Sequence, residues 1–476
     1  MVRTIKNLFA PINWVPPEVL SLIPDYCDMD DDLIALTHVC RSWREVFTSR
    51  ASSWTFLDCV DLDKTNVYIQ RSRGSPLEIC PTGCHHHDAL LLTLPLTGRL
   101  KALTISGSHF ILRLTKHFGS QAPLPEKLDI QVRSARPAPT KGSIFGGNLS
   151  SLRELRLYAV LTNLPWENLT NLTTFEFHQV PGVKISVTQL LDFFERAPLL
   201  RAIVLVDSLP GSSDAPYKRV VSLPHLRLLR INARQPHSIL LNHLHIPIDT
   251  LVTLEFKLNH NSTPISHYFP TPLDNLNNIS HITSIDLSFN SGVAMRLKGP
   301  SGGLRVLGTW INGGSPPPVL DLRLLRSLNE FPISTTETFA ITLHDGSADP
   351  KTEESGTYQT LLLMSNLRIL TLIDCIDLVF VLNPGRNTPN VVVCPKLEEL
   401  ILYVQEGREE SCIDGLLEMV KERTSRGVEL STIVVVCRRE LIPVEKAFGL
   451  RKYVEHVEYR LGDESPERDT VPGEVN

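Results

Sequence analysis

Cys80, Cys84 and the run His85-His86-His87 are the residues whose types and spacing best suit chemistry. Thiolate sulfur and imidazole nitrogen are the ligands that zinc prefers. A structural zinc site wants a second ligand pair, and none lies nearby in the sequence. The segment is therefore read as a polar loop, with no metal and no cofactor expected. His344-Asp345 could form half of a phosphohydrolase pair, but no second motif of that kind accompanies it. No G-x-S-x-G elbow, no G-x-x-x-x-G-K-[ST] loop and no H-E-x-x-H is present, so the chain is not expected to be an enzyme. Gly142, Gly146, Gly147, Gly302 and Gly303 read as turn punctuation rather than phosphate cradles. Pro316-Pro317-Pro318 is a short extended piece and only a weak ligand for proline-reading domains.

Positioning elements must then be sought in the bulk pattern. A chain of 476 residues exceeds one ordinary core, which implies several units or one solenoid that grows by stacking. Lys and Arg number 47 against 52 Asp and Glu, for a formal net charge of -5. No basic surplus points to nucleic acid or an anionic membrane. No apolar run reaches the length of about 18 residues that a membrane span needs, and the first residues lack a secretory signal. Nine cysteines are scattered through a large chain. They fit reduced thiols in the cytoplasm or nucleus better than a disulfide scaffold.

From Val15 to Trp54 the pattern is helical. Pro16-Pro17 favours a helix start, because the first turn leaves its N–H groups unpaired anyway. Val19, Leu22, Ile23 and Tyr26 recur at helical spacing, and Pro24 stops or kinks that helix. Asp28, Asp30, Asp31 and Asp32 form a polar turn suited to the next N-terminus. Leu33, Leu36, Val39, Cys40, Trp43 and Phe47 follow at steps of three and four. A break near His38 divides this stripe in two. Three short helices bury little by themselves and want a partner surface, although a plain helical cap on the following domain fits the same pattern.

Val15-Pro16-Pro17-Glu18-Val19-Leu20, then Val39-Cys40-Arg41-Ser42-Trp43-Arg44, then Trp54 match in order and spacing the F-box family's pattern. The segment resembles that family, with Val15 where Leu is usual, over roughly a tenth of the chain; the whole has the flavour of the large F-box families of mushroom-forming fungi. The resemblance implies docking on a Skp-type adaptor, and through it on cullin and RING subunits. By residue match, Pro16, Glu18, Leu20, Ile23, Leu36, Val39, Cys40 and Trp43 would line or support that interface.

The remainder repeats the pattern apolar-x-x-apolar-x-apolar. Units start at Leu100, Pro125, Leu152, Leu172, Leu200, Leu226, Leu251 and Ile282, weakly at Leu304 and Thr338, and again at Leu367, Leu397 and Leu430. Successive starts lie 20 to 34 residues apart, against about 20 to 29 in leucine-rich repeats. Asn259, Asn290, Asn312 and Cys375 occupy the ninth position, where that repeat bonds its own turn. A degenerate solenoid is preferred to an ordinary α/β protein with leucine-rich strands. Trp54–Val60 is read as a strand, Lys64–Arg73 as a helix capped by Asp61, and Leu77–Cys80 as a strand, so the repeats begin near residue 54. Ser186–Arg196 and Glu410–Arg423 are read as helices between strands, and 344–356 as a mobile loop.

The expected fold is mixed α/β. It comprises an extension over 1–14, an F-box module over 15–53, an irregular leucine-rich-repeat solenoid over 54–461 and a disordered tail over 462–476. The expected function is that of a non-catalytic target-recognition subunit. A leucine-repeat scaffold unconnected to ubiquitin is the alternative, and a hydrolase hidden in an irregular α/β fold is a third reading. The side chains alternating with the core positions include Arg156, Glu176, His178, Arg230, Glu255, Lys257, Asp286 and Glu399. Their mixed signs suit an unidentified protein target rather than nucleic acid.

Overall fold

Apolar residues at every second position should line one face of a strand, and parallel strands in register should stack those positions into continuous rows. The computed structural model has this arrangement. It describes residues 14–26, 30–81, 87–107, 122–132, 138–139, 144–161, 165–178, 185–209, 214–216, 218–234, 236–258, 268–270, 273–289, 292–310, 328–342, 356–384, 391–404, 409–437 and 448–462. The chain is mixed α/β with a long, mostly parallel strand ladder. It divides into one unit of residues 1–185 with 192–208, and a second of 186–191 with 209–476.

The first unit opens with helices α1 (Pro17–Leu20), α2 (Asp30–His38) and α3 (Arg41–Ser49). Pro17 opens α1, and the chain breaks at Val39–Cys40, close to the expected point. Strands β1 (Phe56–Leu57), β2 (Leu77–Ile79), β3 (Leu100–Gly107), β4 (Lys127–Val132), β5 (Glu154–Tyr158), β6 (Thr174–His178) and β7 (Ala202–Val206) follow. All pair in parallel and in chain order. Leu103, Leu128, Leu155, Phe175 and Ile203 form one buried row, and Ile105, Ile130, Leu157, Phe177 and Leu205 the next.

Trp54 joins helices to ladder. Its indole Nε1 donates to the Phe47 carbonyl at 2.9 Å. Its ring meets Tyr68 edge-on at 4.9 Å, and the Arg71 guanidinium lies 4.3 Å over it. Tyr68 and Arg71 belong to helix α4 (Leu62–Ser72), whose cap is Asp61, accepting from Lys64 N at 2.7 Å. The expected strand Trp54–Val60 is shorter than read. Ala51–Trp54 is a 3₁₀ turn that brings the indole under Phe47, which leaves Phe56–Leu57 as strand.

The second unit carries β8 (Leu228–Asn232), β9 (Leu251–Leu258), β10 (Ser284–Phe289), β11 (Gly292–Lys298), β12 (Gly303–Trp310), β13 (Thr338–Thr342), β14 (Ile369–Ile373), β15 (Glu399–Val404), β16 (Thr432–Cys437) and β17 (His456–Leu461). Here chain order and spatial order part. β9 pairs with β12; β12 and β10 flank β11 antiparallel; and β10 then pairs in parallel with β13. The units read at Ile282 and Leu304 are therefore not successive parallel strands but the outer arms of a three-strand meander. The β11–β12 turn requires glycine, since a Cβ on Gly302 would run into the Ile248 carbonyl and one on Gly303 into that of Leu297.

The phase also differs locally. Leu251 begins its strand on the outer face and is exposed, leaving Val252, Leu254 and Phe256 inside. In β12 the inner residues are Leu304 and Val306. Cys375 Sγ bonds the Ile341 carbonyl of the neighbouring strand at 3.5 Å. Asn259, Asn290, Asn312, Cys84–His86, His344-Asp345, the loop 344–355, Pro316–Pro318, Gly142, Asp28 and the tail from 463 lie outside the described residues.

Helices α5 (Val187–Arg196), α6 (Gly356–Leu363) and α7 (Glu409–Ser425) lie between strands, two of them near their expected bounds. Helix α7 ends at Gly427, whose positive φ lets Val428 N reach Arg423 O, a left-handed C-terminal cap. Arg423 is wholly buried. Its Nη1 donates to Val393 O at 2.8 Å and its Nη2 to Cys394 O at 2.9 Å. Arg423→Ala leaves a cavity and removes a donor from both carbonyls, of which Cys394 O keeps the Leu397 N–H at 3.1 Å, and should cost about 3 kcal/mol in urea unfolding. Arg423→Lys should recover less than half, because an ammonium cannot span both acceptors as the guanidinium fork does. A fully stable lysine variant would contradict this reading.

Candidate functional site

Leu20, Trp43 and Phe47 form the small core of the N-terminal helices. The Trp43 and Phe47 rings meet edge-on, 5.4 Å apart. Val15, Ile23, Leu36, Cys40 and Val46 pack against them, half-buried. The helices are tied together by Arg44 Nε, which donates to Thr37 O at 3.0 Å at the end of α2, and by Arg50, which bonds Ser21 O. A cation at those carbonyls suits the negative end of a helix.

Of the eight residues named from the resemblance, Leu20 and Trp43 thus hold the element together and present little to a partner. Ile23, Leu36 and Cys40 are half-buried, while Pro16, Glu18 and Val39 are exposed. Beside them stand Trp14 (73% exposed), Val19 (51%), Leu22 (50%) and Tyr26 (85%), with Val39 at 54%. So many large apolar side chains in so short a stretch mark a surface that wants covering. Val19, Leu22 and Tyr26 were legible as part of a helical stripe. Which side of that stripe would be left outside was not, because the stripe is apolar nearly all round.

The outer face of the first unit's ladder brings together residues distant in sequence. One row runs Thr104, Asp129, Arg156, Glu176, Val204 and the next Ser106, Gln131, Tyr158, His178, Val206. Tyr158 Oη donates to Glu176 Oε2 at 2.9 Å, and Arg156 Nε lies 3.3 Å from Glu176 Oε1. The His178 ring stacks on Tyr158 at 4.1 Å, with its Nε2 3.8 Å from the Glu176 carboxylate. His178, Tyr158 and Arg156 together hold the Glu176 carboxyl below its usual range. Burial, helped by Glu176, pushes the Tyr158 hydroxyl up to about 12. Burial also raises Asp129, against the amide of Gln131 at 3.2 Å. Sequence reasoning named Arg156, Glu176 and His178. It missed Asp129, Gln131 and Tyr158, which sit at the same alternate positions of adjoining strands.

On the second unit's outer face, Arg230 Nε pairs with Glu255 Oε1 at 2.8 Å, and Asn232 donates to the other oxygen at 2.8 Å. Asp286 lies 3.9 Å from Arg296, at the far limit of an ion pair. Lys257 is exposed and Glu399 half-buried at the start of β15.

Burial raises the Cys80 thiol, helped by the Asp129 carboxylate, which disfavours the thiolate a metal would need. Among the described residues no group of three or more His, Cys, Asp or Glu side chains could hold a metal ion, and no helix is long and apolar enough to cross a membrane. No protein-family model matches the chain, and no curated protein matches it in sequence.

Behind Glu255, His237 is fully buried between Phe256 and Tyr268, with Nε2 3.2 Å from the Glu255 carbonyl. Burial pushes its pKa down from 6.5 to about 4. Between those values the unfolded chain takes up a proton that the folded chain refuses. Stability is therefore complete above pH 6.5 and falls on acidification, by up to about 3 kcal/mol at pH 4. Urea midpoints from pH 7.5 to 4.5 should drop more steeply for the wild type than for His237→Phe. Parallel curves for the two proteins would show that His237 carries no such linkage.

Proposed function

We propose that the chain is a target-recognition subunit of a cullin-RING ubiquitin ligase, docked on a Skp-type adaptor by its N-terminal helices. The observation that carries the reading is the exposed apolar set Trp14, Val19, Leu22, Tyr26 and Val39, on helices whose small core centres on Leu20, Trp43 and Phe47. Covering such a surface removes apolar area from water, and a partner's apolar groove would do that. The F-box resemblance falls on the same segment. Trp54 supports the reading further, because it couples these helices rigidly to the first strands, and an adaptor must hold a target at a fixed distance.

The rest of the chain is read as a degenerate leucine-rich-repeat solenoid, interrupted by one meander. Parallel sheets are ordinarily apolar on both faces. This ladder is apolar on one face and largely polar on the other, as in stacked repeats with an open binding surface. That face is read as the target-binding side, with Arg156, Glu176, Arg230, Glu255 and Asp286 contributing specificity. Catalysis is left to other subunits, and the gain comes from effective concentration of the target.

The test is capture of a recombinant Skp-type adaptor by the full chain. Val19→Asp with Leu22→Asp and Val39→Asp alters only exposed positions. It should weaken binding roughly 100-fold or more, with the melting temperature unchanged. Trp43→Ala should also lose binding, but by melting the helices, which the far-ultraviolet spectrum would register. Charge reversal at Arg230 and Asp286 should leave adaptor capture intact. If the wild-type chain binds no adaptor, or the triple variant binds as well as wild type, the ubiquitin reading falls and the scaffold alternative stands.

A further inference from the structure

The last strand of the ladder, β17, pairs in parallel with β16 over all six of its residues. No described strand pairs with its other edge. Two bonds fix which backbone groups face which side. His456 N donates to Ser431 O at 2.9 Å, and Gly462 N donates to Cys437 O at 3.1 Å. In a parallel strand the N–H and C=O of one residue point to the same side, and those of the next residue to the other. The groups of His456, Glu458 and Arg460 therefore face β16. Those of Val457, Tyr459 and Leu461 face the open edge, where the Leu461 side chain is 57% exposed. An edge of this kind is a template for a further strand unless proline, a bulge or repelling charge blunts it. β17 has no proline and no register shift, and its two full charges, Glu458 and Arg460, are opposite in sign.

We propose that this edge joins a second copy of the chain, β17 against β17, as an antiparallel pair about a two-fold axis. Backbone and charge together choose the register. Only outward-facing groups can bond, so Val457, Tyr459 and Leu461 must meet one another. A pairing centred on Glu458 sets that carboxylate against its own copy, and one centred on Arg460 does the same to the guanidinium. Like charges directly opposite are destabilising. A pairing centred on Val457 runs off the start of the strand. Centred on Tyr459, the register sets Glu458 opposite Arg460 of the second copy and Arg460 opposite its Glu458. Tyr459 then meets its own copy on the axis, and Val457 lies across from Leu461. Within one chain Arg460 already grips Glu458, Nε to Oε1 at 2.6 Å and Nη2 to Oε2 at 2.8 Å. That pair is exposed and contributes little alone. Across the axis it becomes an alternating set of charges, with each carboxylate between two guanidiniums. The two-fold relation closes on itself, so association stops at the dimer. One strand edge is a small interface, and the expected dissociation constant is on the order of 10 μM. The inference stands apart from the ligase reading.

The test is sedimentation equilibrium of the full chain from about 1 to 200 μM. The wild type should pass from monomer to dimer and no further. Glu458→Arg sets arginines against Arg460 of the second copy, and Arg460→Glu sets carboxylates against its Glu458. Each single variant should weaken the dimer roughly tenfold or more. An equimolar mixture of the two should regain it, because each chain then meets its complement. Neither variant keeps the pair within its own chain, so this recovery reports the contact between chains alone, and a misfolded variant could not give it. Glu458→Arg combined with Arg460→Glu in one chain should dimerise like the wild type. A wild type that stays monomeric throughout the range overturns the proposal. So do single variants that associate as the wild type does, and so does a mixture that stays monomeric.

Discussion

Strand register is the constraint on which the rest of the molecule depends, and it is locked at the residue before each strand. The carbonyls of Glu126, Arg153 and Thr173 in the first unit, and of Thr283, Glu337, Arg368 and Glu398 in the second, each accept two successive backbone N–H groups from the neighbouring strand. A slip of one residue would break both bonds at each step and exchange the two faces of the sheet. Once the step is fixed, every second side chain is committed to the core. Each side chain buried there contributes roughly 1.5–3 kcal/mol against exposure, and the alternate positions are committed outward. The polar rows on the outside are therefore a consequence of the same hydrogen bonds that stack the leucines.

The sequence carried this periodicity openly because both consequences repeat. Buried rows such as Leu103, Leu128, Leu155, Phe175 and Ile203 were readable from spacing alone, as were the Asp61 cap and helices α5 and α7. The meander was not readable. β10, β11 and β12 carry the same alternation in either direction of travel, since a period of two has no polarity. Only the Gly299-Pro300-Ser301-Gly302-Gly303 turn hinted that the chain doubles back, and glycine-rich turns occur between parallel strands as well. Leu251 misled for a related reason. Its strand begins one residue early, so a leucine at the expected repeat position points outward.

The N-terminal helices pose the opposite difficulty. There the stripe was correctly found, but a stripe does not say which of its members satisfy one another. Trp43 and Leu20 resemble docking anchors by residue type, yet with Phe47 they form the centre of the core that these short helices build. The apolar side chains left outside are Val19, Leu22, Tyr26 and Val39. A small element has too little volume to hide all of its apolar surface. The division between core and exposed apolar face is thus a matter of geometry rather than of composition.

The two polar faces differ in how their charges are paired, and this bears on what each can recognise. In the first unit, Glu176 is engaged by Arg156, Tyr158 and His178 at once. A ligand there must either accept a fixed pattern of donors and acceptors or displace bonds already made. Such a network favours shape and register over charge. In the second unit, both oxygens of Glu255 are taken, by Arg230 and by Asn232, each at 2.8 Å. The meander adds a different pairing, because an antiparallel strand sets Arg296 directly across from Arg305, where a parallel ladder would carry the row on to the next repeat. The irregularity that breaks the parallel ladder thus also sets like charges opposite one another on its outer face.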